Sequence, residues 1–159
     1  MPTKPEWPAL YAPGFHEATL SDLRNRCVDA FPLSKRRDPI MRSLEAMCFA
    51  ISGALLRAEV WVNGSFTTFK IEPDDVDVVV VFNEPSGGGT PDQLSVIRRV
   101  EAQDFQFPVK CDSYTCAQYP EGHKLHSTSE FMRAYWMRQF GFSRGNALKG
   151  IALVRTPVS

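Results

Sequence analysis

Residues 60–82 read VWVNGSFTTFKIEPDDVDVVVVF, and the reading of this stretch decides the fold. It opens as a strand, breaks at Gly64-Ser65, makes a polar excursion and resumes as a second strand at Asp75-Val76-Asp77. Side chains alternate faces along a strand, so Asp75 and Asp77 project from the same side. The residues that follow, Val78 to Phe82, are apolar on both faces, the pattern of a central strand covered above and below. Two carboxylates at the mouth of such a strand repel each other and lose hydration unless a cation lies between them. Oxygen ligands so placed suit Mg²⁺ (or Mn²⁺), which takes one or two carboxylates and completes its shell with water and phosphate oxygens.

The turn before the acidic pair fits the same chemistry. Gly64 lets backbone amides approach a phosphate closely, and the Ser65 hydroxyl adds a hydrogen bond. A short helix starting after Ser65 would favour the same anion at its N-terminus. Phosphoryl-type chemistry commonly uses a third carboxylate to complete the metal cage. Asp112, on a strand anticipated over Phe107–Tyr114, is the candidate.

Composition narrows the class. An apolar share of 43% with 23% charged residues is that of an ordinary globular chain and excludes disorder. The longest apolar run, Val78 to Phe82, has strand length, so no membrane span is expected. Eighteen basic residues balance eighteen acidic ones, which removes any global pull toward nucleic acid and argues against generic DNA binding. The first residues lack the pattern of a secretory leader, and four cysteines without dense spacing suit reduced thiols; both point to the cytoplasm.

Around the central stretch, residues 1–17 read as an extended arm packed on the body. Thr19 and Asp22 form an acidic capping box for a helix to about residue 30. Asp38-Pro39 reads as the cap and first turn of a longer helix carrying Ile40, Leu44, Met47, Cys48, Ile51 and Leu55 on one stripe. The preceding Lys35-Arg36-Arg37 is a solvated turn by default. A glycine-rich loop (Gly87-Gly88-Gly89) leads to a helix from Pro91 to about Ala102. A further helix over about 128–140 carries Phe131, Met132, Tyr135, Trp136 and Phe140, with Gly141 as its C-terminal cap. A last strand covers 150–155. Arg138, Arg144 and Lys149 border that final turn, where solvated charge is the default and a triphosphate contact the alternative. Cys111, Cys116, His123 and His126 fit zinc spacing poorly, and the two cysteines would face opposite sides of a shared strand.

Gly64-Ser65 followed by Asp75-Val76-Asp77 resembles the signature of the DNA polymerase beta-like nucleotidyltransferase superfamily. The resemblance implies that Gly64 and Ser65 contact a triphosphate and that Asp75, Asp77 and Asp112 bind Mg²⁺. The segments PGFHEATLSDLRNRC, WVNGSFTTFKIEPDDVDVVVVF and YWMRQFGFSRGNALKGI are similar to a family of short bacterial and phage proteins described as nucleotidyltransferase-like. The expected architecture over 1–159 is therefore α+β (or α/β), a mixed sheet of about four strands with helices mainly on one face. The expected function is Mg²⁺-dependent transfer of a nucleoside monophosphate from NTP to a protein, RNA or small-molecule acceptor. The alternative is an inactive nucleotide sensor or a protein-binding module, such as an antitoxin paired with a toxin, an immunity protein or a phage accessory factor.

Overall fold

The computed structural model of the chain describes residues 5–158. Its strands are β1 (Gly14–Glu17), β2 (Ala58–Asn63), β3 (Val76–Asn83), β4 (Cys111–Gln118) and β5 (Gly150–Thr156). Its helices are α1 (Leu20–Arg24, widening into a π-type turn over Asn25–Asp29), α2 (Arg37–Gly53), α3 (Pro91–Glu101) and α4 (His126–Gly141). The five strands form one mixed sheet in the order β1-β5-β2-β3-β4, in an α+β arrangement. β2 pairs antiparallel with both β3 and β5, whereas β1–β5 and β3–β4 are parallel. No helix among the described residues is long and apolar enough to cross a membrane.

β2 and β3 occupy the anticipated residues, because unbroken apolar runs bounded by Gly64 and the acidic pair are local signals. β3 is buried on both faces. Val78 and Val80 pack with Ile40, Leu44, Met47 and Ile51 of α2 and Val96 and Val100 of α3, while Val79 and Val81 pack with Trp61, Leu153 and Phe140 under α4. Each such fully buried side chain contributes roughly 1.5–3 kcal/mol, so this double-sided core is the main source of stability. Three helices thus cover one face and α4 alone the other.

Several boundaries differ from expectation. β4 begins at Cys111 rather than Phe107, because Pro108 has no N–H for a ladder and Val109 is bonded instead through its backbone to the Ser43 hydroxyl. β1 was hidden in the N-terminal arm; it exists by pairing with β5 at the far end of the chain. The arm's first four residues lie outside the described ones. The Thr19–Asp22 capping box is present, with both reciprocal bonds. Asp38, in contrast, caps nothing. α2 starts two residues earlier than a cap at Asp38 would set it, the Ser34 hydroxyl accepts the Arg37 N–H, and the Asp38 carboxylate pairs with Arg24 at 2.6 Å and Arg42 at 3.1 Å. α2 also ends before Leu55, whose φ of 57° turns it outward and sends Leu56 into the core. Gly141 stays helical, and the chain leaves α4 through an extended Phe142. Of the aromatic residues on α4 only Phe140 is buried; Phe131 is 70% exposed.

The largest departure is Arg37. Rather than lying in a solvated turn, it is fully buried, with its guanidinium stacked on the Phe31 ring 3.7 Å from the centroid. Its five N–H donors meet five backbone carbonyls, those of Cys27, Phe66, Thr68, Lys70 and Ile71. Four of these belong to the excursion between β2 and β3, so this one side chain fastens that loop to the end of α1.

Candidate metal centre

The parallel register of β3 and β4 sets Asp77 opposite Asp112. Asp75 lies two residues before Asp77 and therefore on the same face. One carboxylate oxygen from each of Asp75, Asp77 and Asp112 lies within 4.8 Å of the others. This is the face covered further along by α4, with Val79, Val81 and Cys116 next on the two strands, so the three acids sit where the covered face opens at the strand mouths. Oxygens trans across Mg²⁺ are about 4.2 Å apart, so the three side chains fit around one ion after small rotations.

Gly64 closes the opposite wall. Its φ is 89°, and a Cβ there would lie 2.7 Å from Asp77 Oδ2. Only glycine combines that conformation with that contact. Gly64→Ala is therefore expected to weaken Mg²⁺–nucleotide binding by at least tenfold by displacing the Asp77 carboxylate, and isothermal titration calorimetry would show it. Ser65 follows, partly exposed, at the start of a single helical turn, Ser65–Thr67. That turn is too short to act as a helix dipole, which leaves the Gly64–Ser65 backbone and the serine hydroxyl as the groups this turn presents to an anion. Asn63 locks the end of β2 by donating to the carbonyls of Phe140 at 2.9 Å and Gly150 at 3.3 Å.

The cluster crowds negative charge that neighbouring cations offset only in part. At an effective dielectric near 20, two unit charges within 4.8 Å of each other repel by at least about 3.5 kcal/mol. Burial above all, then the charges of Asp75 and Asp112, pushes the Asp77 carboxyl up to about 6, against the pull of Lys149 and Arg144. Asp75 is raised as well, by burial first and then by the charge of Asp112 and their shared hydrogen bond. Lys149 is partly buried; burial lowers its ammonium while Asp77 holds it up. Lys110 pairs with Asp112 at 3.0 Å.

The structure brings together Gly64, Asp75, Asp77 and Asp112, with Ser65 next to Gly64 in the turn. Lys110, whose only signal was its even spacing from Asp112 on the β4 approach, joins them by its ion pair, while Lys149 and Arg144, whose default reading was solvated charge, act on Asp77 through their charge alone. Lys70, a cation of the loop between β2 and β3, pairs with Asp74 at 3.7 Å and lies over the Trp7 ring. Arg138 is used up by Asn146 and Phe142. The cysteine–histidine group does not converge: Cys111 is buried toward α2 and α3, Cys116 toward α4, and the His126 ring contacts the Tyr119 carbonyl. A cavity of about 990 Å³ lies at the other end of the strands, lined by Glu59, Asn83, Glu130, Arg133 and Arg155.

Fold and site together define an α+β domain with a three-carboxylate cage at one end of a mixed sheet, walled by a glycine turn. The chain belongs to a family of unknown function, DUF6932, whose family model matches residues 5–155. No curated protein and no solved structure matches it.

Proposed function

We propose that this domain is a Mg²⁺-dependent nucleotidyltransferase of the polymerase beta-like type, moving a nucleoside monophosphate from NTP to a protein, RNA or small-molecule acceptor. The observation that carries the reading is the convergence of Asp75, Asp77 and Asp112 against the Gly64 turn. Asp75, Asp77 and Asp112 would hold the metal, which when bound neutralises the phosphates and polarises the α-phosphorus. The Gly64–Ser65 turn holds the β- and γ-phosphates, and Lys149 and Arg144 supply cations on the same side. An acceptor hydroxyl forms the new bond to the α-phosphorus and its proton passes to a cage carboxylate, Asp112 in this reading. The bond to the bridging oxygen breaks, and pyrophosphate leaves.

One contact favours the second reading, a nucleotide sensor or protein-binding module without turnover. Lys110 sits on Asp112, and a lysine that stayed there would occupy the carboxylate assigned to the proton. Incubation with each α-³²P-labelled NTP, Mg²⁺ and cell lysate separates the two. Label on a protein or RNA, lost when Asp75 and Asp77 are both replaced by alanine, is the result expected of a transferase. Metal-dependent NTP binding without label in any lysate would favour the sensor.

A further inference from the structure

The cage accounts for phosphates and metal but leaves the base of the nucleotide without a partner. Tyr114 lies two residues beyond Asp112 on β4 and hence on the same face of the sheet. The separation is roughly 7 Å along the strand, the gap that a ribose bridges between an α-phosphate and its base. Tyr114 is 41% exposed although its ring packs on Trp136, with centroids 4.9 Å apart and planes 35° from parallel. Trp136 is in turn wedged between Tyr135, at 5.2 Å, and Phe140, at 5.9 Å, while Tyr135 remains 43% exposed. The outcome is an aromatic ledge fixed from behind by α4 and open toward solvent, beside the cage. The cavity near Arg155 cannot serve the same nucleotide: Asn83 in its wall is six residues along β3 from Asp77, roughly 20 Å.

We infer that Tyr114, backed by Trp136 and Tyr135, is the stacking surface for the nucleobase. The inference rests on the nucleotide reading of the cage. A flat, rigid ring beside a phosphate site binds any base by its π-face. Tyrosine's hydroxyl is not needed for stacking, so phenylalanine should serve at this position.

The test is calorimetric titration with Mg²⁺–α,β-methylene-ATP and, in parallel, with Mg²⁺–tripolyphosphate, which has the phosphates but no base. For Tyr114→Ala the ATP analogue should bind at least tenfold more weakly, and tripolyphosphate should be unaffected. For Tyr114→Phe both should stay within about threefold of the unaltered protein, and Tyr135→Ala should lose an intermediate amount of analogue affinity alone. Tyr114→Ala gives up its packing on Trp136 but no fully buried contact, so the variant should fold, and a thermal melt before each titration keeps the comparison valid. Equal affinity of the parent for analogue and tripolyphosphate, or unchanged analogue binding by Tyr114→Ala, overturns the stacking role while leaving the cage intact. Failure of both ligands to bind the parent overturns the cage reading and the stacking role with it.

Discussion

Arg37→Met should lower the stability of this protein by about 3–5 kcal/mol, equivalent to a melting temperature roughly 6–20 °C lower. The reason is geometric. All five guanidinium donors bind backbone carbonyls, and the residue has no exposed surface. Methionine fills much of the volume but leaves the Cys27, Phe66 and Thr68 carbonyls buried without donors, each a penalty that water must enter the core to relieve. Arg37→Lys should be nearly as damaging, since an ammonium offers three donors from a single point and cannot span a planar fan of acceptors. Arg36→Met next to it removes only an exposed pair with Asp74 and should shift stability by less than about 0.5 kcal/mol. Differential scanning calorimetry of the three variants checks this, and an Arg37→Lys melting point within 2 °C of the parent would refute the arrangement. Because the clasped loop also carries Gly64 and Ser65, a folded Arg37 variant should bind Mg²⁺–nucleotide more weakly as well.

Asp77→Asn should act in the opposite direction on stability while removing function. In the folded, metal-free protein the Asp77 carboxyl keeps its proton up to about pH 6, against an ordinary value of 3.8. A raised value means that this group's contribution to stability is complete below about pH 4 and is lost as the pH climbs through 6. At pH 7.5 the ionised form is therefore a burden, and asparagine removes its charge with little change of shape. The metal-free variant should gain about 1–2 kcal/mol, or roughly 2–8 °C, at pH 7.5 and little at pH 4.5. On the proposed function Mg²⁺–NTP should raise the melting temperature of the parent, and in the variant that rise should disappear. In the parent that rise should itself grow between pH 5 and pH 7, because the metal competes with the proton for the same oxygens. Thermal melts at the two pH values, with and without Mg²⁺–NTP, read all of these together. An asparagine variant destabilised at pH 7.5 would mean that the cage carries less uncompensated charge than its geometry implies.

Short-range patterning determined β2, β3 and the acidic pair. Alternation, an apolar run and a glycine break are properties of adjacent residues, and they placed Asp75, Asp77, Gly64 and Ser65 before any contact was known. Asp112 was legible as a residue type on a following strand, but its place beside Asp77 depended on β3–β4 register, which a slip of one residue would have reversed. What only the tertiary structure decided involves partners far apart in the chain. β1 has no pattern of its own and becomes a strand because β5 lies beside it. Arg37 reads as one more surface cation in a basic run, and nothing local shows that five carbonyls surround it; burial of a charge is set by what the rest of the chain folds around it. Lys149 and Tyr114 follow the same rule, each ordinary in sequence and placed by the sheet next to a carboxylate cage.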